Sequence, residues 1–222
     1  MCLELLDTVD VHDQAGELVV PLAEGRFNDD AQLPYGLLRQ DISRAMQDFL
    51  DFIQFVNSQL HHRDMNRLEC LLMPANFSSI VGEFMVTGIS KHSAAMTRNR
   101  YHNGHPDLLP VGVFEDDGVQ HSDTGIEVKA SRYRQGWQGH NPENIWLLVF
   151  TFSSSRRRDV VEGHVLRPFR FIEVLGSKLG EDDWSYAGRS STSRRTITAS
   201  VRKSGYRKMK RNWVYRAAGV EH

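Results

Sequence analysis

Apolar positions along the chain first follow a helical period and then give way to strand-like runs. Over residues 37–60, Leu38, Ile42, Ala45, Met46, Phe49, Ile53, Val56 and Leu60 recur at threes and fours, the spacing that lines one face of a helix. Phe52 and Phe55 widen that stripe, leaving apolar surface for a core and for a second subunit. A second helix is predicted over 77–90, with Asn76 as its N-cap and Ile80, Val81, Phe84, Met85 and Ile89 along one side. The period then shortens. Leu108, Val111, Val113 and Phe114 form a β-prone run, Glu115-Asp116-Asp117-Gly118 reads as an acidic turn, and a further strand is predicted over 124–131, giving an antiparallel hairpin. Residues 144–152 are almost continuously apolar and predict a strand buried on both faces of a sheet. The segment 131–143, interrupted by Gly136, Gly139 and Pro142, is short and poorly helical for a parallel crossover and reads instead as a functional loop.

With 222 residues and 40% apolar content, the chain is able to bury a substantial core. The pattern predicts an α/β fold: a mixed central sheet flanked by helices. Its parts are an acidic helical portion over 1–75, a central core over 76–183 and a basic β-rich extension over 184–222, all of which fit one domain. Cys2 and Cys70 lack a partner motif, no N-terminal signal pattern is present, and no apolar run approaches the ~18 residues that span a bilayer. The expectation is a cytoplasmic protein without membrane contact. No GxxxxGK[ST] or GxSxG stretch occurs, so neither a nucleotide cofactor nor a serine nucleophile elbow is expected.

Net charge is -1, but its distribution is uneven. Up to Ser90 there are 14 acidic and 5 basic residues, whereas from Trp184 to His222 there are 10 basic residues and one acid, Glu221. Arg194, Arg195, Arg202, Lys203, Arg207, Lys208 and Lys210 lie among alternating Thr, Ile and Val that predict strands. Such cations hold phosphates without sequence preference. Tyr206, Trp213 and Tyr215, interleaved with them, suit either base stacking or a core. Over 132–141, Arg132, Arg134, Gln138, His140 and Asn141 carry groups that match base edges; the same stretch also reads as a glycine-rich turn pinned by Trp137. Arg156-Arg157-Arg158 forms a third cationic segment, either a backbone grip or a plain solvated loop.

The densest chemistry lies at His105-Pro106-Asp107 and, twenty positions on, Gly125-Ile126-Glu127-Val128-Lys129-Ala130. Hydrolysis of an anionic phosphodiester calls for a cation that neutralises charge and acidifies water. Mg²⁺ is commonly held by one or two carboxylates plus water and substrate, which suits Asp107 and Glu127. Lys129, two residues past Glu127, shares its strand face, and its ammonium is suited to orienting water or stabilising the transition state. The blander alternative makes Asp107 a turn residue and Glu127 and Lys129 a solvated strand face. Zinc ligation by His102, His105, His121 and His140 is a further alternative, although no HExxH or CxxC spacing organises them.

Pro106-Asp107 followed by Glu127-Val128-Lys129 resembles the signature of the PD-(D/E)xK nuclease superfamily, over about residues 76–152. The resemblance implies a restriction-endonuclease-like core, with Asp107 and Glu127 as metal ligands and Lys129 as the water-orienting amine. Glu83, on the preceding helix, corresponds to an additional ligand found in many members. The expected function is Mg²⁺-dependent hydrolysis of double-stranded DNA, with Mn²⁺ as a substitute ion and a homodimer for two-strand cutting. A sequence-specific, type II restriction enzyme is the first expectation; a repair or junction-resolving nuclease is the alternative, and a non-catalytic DNA-binding module is the alternative of another class.

Overall fold

The 37–60 periodicity becomes a long helix because its start is capped and its stripe is buried. The backbone N–H of Leu38 donates to Asp41 Oδ2 at 3.1 Å, and Ile42, Ala45, Met46, Phe49 and Ile53 are fully excluded from solvent. The computed structural model of the protein describes residues 17–101, 103–139, 142–186 and 199–220. Accordingly, His102, His140, Asn141, Arg194 and Arg195 lie outside the described residues. In chain order the elements are β1 (Gly25–Phe27), α1 (Arg39–His61), α2 (Leu68–Leu71), α3 (Pro74–His92), β2 (Met96–Arg98), β3 (Leu108–Pro110), β4 (Ile126–Ser131) and β5 (Gln138–Gly139). There follow β6 (Trp146–Ser153), α4 (Arg157–Val161), β7 (Arg170–Lys178), β8 (Trp184–Tyr186), β9 (Ala199–Val201), α5 (Lys203–Arg211) and β10 (Trp213–Ala217).

The fold is mixed α/β. A seven-stranded sheet runs β1-β10-β7-β6-β4-β3-β2, and a small sheet runs β5-β9-β8. In the large sheet β4 and β6 pair in parallel, while the other neighbours are antiparallel. Successive residues of a strand face opposite sides, and the buried β6 strand uses both. Leu148, Phe150 and Phe152 join α1 and α3 in one core, whereas Leu147 and Val149 join Trp137, Trp184 and Met209 in the other. α1 and α3 thus cover one face, with α5 and the small sheet against the opposite one.

Several expectations are corrected. Asn76 is not a cap, because α3 begins two residues earlier: Met73 is the N-cap and Pro74 occupies the first turn, where its fixed φ and missing N–H cost nothing. The 108–114 run is not one strand. β3 ends at Pro110, Gly112 adopts φ 73°, and Val111 and Val113 lie exposed in the loop. The basic segment is not all β. Residues 203–211 form α5, whose Gly205 and Met209 are buried and whose Lys203, Arg207, Lys208 and Arg211 are exposed. Nor does the C-terminal end stand apart as an extension, since β10 is inserted between β1 and β7. Tyr215 is therefore a core ring at 2% exposure, packed 4.9 Å from Phe27, and not a base-stacking platform. Trp213 carries the guanidinium groups of Arg26 and Arg216 over its ring, and Tyr206 packs on Trp137.

The helical layer is held by aromatic packing and a close helix contact. Phe49 meets Phe84, Phe169 and Phe171 with ring centroids 5.3, 5.0 and 5.9 Å away. α3 approaches α1 at Gly88, where an added Cβ would sit 2.8 Å from Ala45 Cβ. Gly88→Val should force the two helices apart, an overpacking cost of about 1–3 kcal/mol. Thermal unfolding is expected to fall by roughly 2–12 °C for a chain of this size, and an unchanged melting temperature would refute the close-contact account.

Candidate active site

The site forms where β3 parts from β4. Their ladder is reduced to one pairing, Leu108 with Ile126, so the next donor on β4, the N–H of Val128, is taken by a side chain instead: it donates to Asp107 Oδ2 at 2.8 Å. This contact anchors Asp107 beside β4. The approach requires Gly125. Its φ is +141°, and a Cβ there would lie 2.4 Å from both the Leu108 carbonyl oxygen and Pro106 Cγ, a conformation and a proximity open to glycine alone.

Alternation along β4 puts Glu127 and Lys129 on one face, and Lys129 Nζ donates to Glu127 Oε1 at 2.8 Å. His105 Nδ1 lies 3.0 Å from Glu127 Oε2, and its Nε2 lies 3.6 Å from Glu143 Oε2. The structure therefore brings Asp107, Glu127 and Lys129 together and adds His105 and Glu143 behind them. Glu83 is placed otherwise: it is exposed and accepts from Arg98 Nη2 at 2.6 Å.

Electrostatics sort the two carboxyls. Burial, reinforced by the neighbouring Glu127 carboxylate, pushes Asp107 up to about 7, against the Val128 N–H and the Lys129 charge. Burial also opposes the ionisation of Glu127, but the bonds from His105 and Lys129 outweigh it and hold that group at about 2. His105 and Lys129 are both raised: burial opposes their charged forms, and the carboxylates around them prevail. One carboxyl that resists ionisation beside one that is firmly ionised is the divided environment found at functional carboxylate pairs.

Two oxygen-bearing groups in mutual contact, one of them destabilised as an anion, match the donor chemistry of a hard divalent ion that keeps its own waters. Among the described residues there is no group of three or more His, Cys, Asp or Glu arranged to cage a metal. His105 and His121 stack on one another with ring centroids 5.2 Å apart, and His105 Nδ1 is already engaged by Glu127.

Two contributors escape sequence reasoning. Asn99 is almost buried and uses its whole amide: Nδ2 donates to the carbonyls of Pro106 (3.0 Å) and Val119 (2.8 Å), and Oδ1 accepts from the N–H groups of Tyr101 (3.0 Å) and Val119 (3.1 Å). It ties the loop before Asp107 to the loop before β4. Gly104 leaves room for it, since a Cβ there would meet Asn99 Nδ2 at 2.4 Å. Glu143 is only 10% exposed at its side chain. Neither residue lies in a spacing that signals a role.

The predicted cationic residues scatter over three settings. Arg132 is turned inward, over the rings of Phe77 and Phe152 at 5.4 and 5.1 Å, with Nη1 donating to the Ser154 carbonyl at 2.9 Å. Arg134 and Lys210 both reach the buried carboxylate of Glu173, at 3.3 and 3.4 Å. Lys208 pairs with Asp183, Arg207 Nε donates to the Lys203 carbonyl at 3.2 Å, and Arg202, Lys203 and Gln138 are exposed. Searches of protein-family models, curated proteins and solved structures return no match to this chain.

The pH dependence of stability follows from the raised Asp107. Its folded value of about 7 exceeds the ordinary 3.8, so between those values the folded chain holds a proton that the unfolded chain has lost. That contribution is complete below about pH 4 and disappears as pH rises through 7. Asp107→Asn keeps an acceptor for Val128 and removes the titration. In chelator, wild type should lose stability from pH 5 to 8 relative to Asp107→Asn and be the less stable at pH 8 by about 1–3 kcal/mol. Against burial, His105 is raised chiefly by Glu127, which both proteins keep, and only in part by Asp107. Parallel curves by thermal unfolding would overturn the assignment.

Proposed function

We propose that the protein is a divalent-metal-dependent DNA endonuclease that cuts at specific sequences. The observation that carries this reading is the convergence of the Asp107 and Glu127 carboxyls with the Lys129 ammonium at the parting of β3 and β4. Asp107 and Glu127 are the groups that would hold Mg²⁺, or Mn²⁺ in its place. The bound ion neutralises charge on the phosphodiester and supplies an acidified water.

The chain's own residues do the positioning. Val128 N–H fixes one oxygen of Asp107, and His105 steadies Glu127 from the side away from Lys129. The Lys129 ammonium, on the strand face of Glu127, would stand toward the attacking water or the phosphoryl oxygens, where a fixed positive charge would favour the transition state. Exposed cations such as Arg202 and Lys203 would supply phosphate contacts. Two-strand cutting at a palindrome calls for two such sites and hence a two-fold homodimer.

Incubation with a sequenced plasmid and Mg²⁺ should give discrete limit fragments. A smear, or cleavage confined to branched DNA, would favour a repair or junction-resolving nuclease. Binding without cleavage under any divalent ion would make the protein a DNA-binding module. Asp107→Ala should abolish cutting, and Lys129→Ala should slow single-turnover cleavage on the order of 10²–10⁴-fold; wild-type rates in both variants would refute the reading.

A further inference from the structure

His105 meets a carboxylate at each of its ring nitrogens. Nδ1 lies 3.0 Å from Glu127 Oε2, and Nε2 lies 3.6 Å from Glu143 Oε2. The first separation is that of a hydrogen bond; the second is an ion contact, longer than a hydrogen bond. Nε2 is buried and has no hydrogen-bond partner among the described residues. Buried polar nitrogens are seldom left so, and the Glu143 carboxylate is the acid set before this one.

The ring and the acid behind it are both held in place. The His105 N–H donates to the Gln120 carbonyl at 3.0 Å, the His105 carbonyl accepts from the Ser122 N–H at 2.9 Å, and the His121 ring stacks on the imidazole with the planes 20° apart. Glu143 is fastened from the small sheet and from β7. Its carbonyl accepts from Trp184 Nε1 at 2.9 Å, and the carbonyl of Asn144 accepts from Lys178 Nζ at 2.6 Å. These bonds fix the backbone just before Trp146, where β6 enters beside Ile126 of β4. The Glu143 side chain is only 10% exposed and accepts no hydrogen bond from a described donor. A carboxylate so enclosed is costly unless a cation stands by it, and the His105 ring is the group in contact.

His105 thus sits between two anions with a hydrogen to offer each. An imidazole that donates at both nitrogens is positively charged, and its bond to Glu127 is charge-assisted and correspondingly firm. With no anion at Nε2, the ring has less reason to hold that charge, and its grip on Glu127 weakens. Glu127 Oε1 is bonded to Lys129, so the His105 bond is what fixes the second oxygen. Metal ligands are aimed by such outer partners, whose loss typically costs about 10–100-fold in metal affinity or activity.

We propose that Glu143 is a positioning residue that acts through His105: its carboxylate, set behind Nε2, holds the ring so that Nδ1 fixes Glu127 Oε2 in the orientation that receives the divalent ion. This rests on the metal-dependent reading of the carboxylate pair and deepens it.

The test is calorimetric titration with Mn²⁺ in the absence of DNA, at a temperature below the unfolding of every variant. Glu143→Gln keeps the shape and removes the charge, and should weaken Mn²⁺ binding about 10–100-fold. Glu143→Asp keeps the charge on a shorter arm and should recover most of that loss; a role in packing alone predicts the reverse order, and that order overturns the proposal. His105→Asn retains a donor for Glu127 but nothing that reaches Glu143. In that background Glu143→Gln should change affinity by no more than about twofold, the mark of two residues acting as one. The full loss there would make Glu143 act on the ion directly, and a drop in the number of ions bound would make it a ligand; either result overturns the positioning role. Glu115→Gln, exposed in the loop after β3, should match wild type, and an equal loss there would reduce the effect to net charge and refute the proposal. Wild-type Mn²⁺ affinity in Glu143→Gln, with Mg²⁺-dependent cutting by the wild-type chain, overturns the positioning role and leaves the nuclease reading standing. The expected losses in a protein that cuts no DNA under any divalent ion uphold the positioning role and overturn the catalytic reading. A wild-type chain that binds no Mn²⁺ overturns both.

Discussion

The site depends on one hydrogen bond, from the Val128 N–H to Asp107 Oδ2. Because β3 and β4 share only the Leu108–Ile126 pairing, the edge of β4 would otherwise present an unpaired donor to a buried region, and such donors are rarely left unmet. Satisfying it with a carboxylate, and not with another strand, delivers Asp107 against Glu127. The resulting electrostatic conflict is then carried by the surroundings: His105 and Lys129 hold Glu127 ionised, and Asp107 resists ionisation. A folded chain does not place two carboxyls together in a dry setting without a compensating charge. Here that compensation is partial, and Asp107 is left resisting ionisation.

The rest of the fold keeps this geometry stiff. The aromatic set around Phe49 and the tight Gly88–Ala45 contact fasten α1 and α3 to one face of the sheet, and Gly82 of α3 lies 3.9 Å from Ala130 of β4 by its added Cβ. On the other face Trp137 binds the crossover loop down, its Nε1 donating to the Tyr133 carbonyl at 2.8 Å and its ring packed against Tyr206 of α5. The crossover between β4 and β6 thus needs no helix: β5 joins the small sheet through β9.

What was legible in the sequence follows from which signals are local. The stripe from Leu38 to Leu60, the α3 stripe and the apolar run that became β6 are periodic, and periodicity survives any tertiary context. The Asp107, Glu127 and Lys129 grouping was legible because period two on a strand fixes the relation of the last two. Each failure has its own physical source. The run Leu108 to Phe114 has strand composition, but Gly112 at positive φ ends it. Residues 203–211 look like a polar strand because their cations mask a helix whose buried side is only Gly205 and Met209. Asn99 and Glu143 are polar residues whose partners are far along the chain, and no local pattern discloses a long-range partner. Glu83 keeps its helical position, but Arg98 on the adjacent edge strand engages it.

The placement of charge ties the two faces together. Glu173 is fully buried, and Arg134, Lys210 and Arg216 all approach its carboxylate, at 3.3, 3.4 and 3.6 Å. One buried anion is thus shared by three cations. Thr151 stands opposite Glu173 in the β6–β7 ladder, on the sheet face away from the Arg132 guanidinium, which lies over Phe77 and Phe152. Farther along the same strand face, Asp107, Glu127 and Glu143 are gathered around Lys129 and His105.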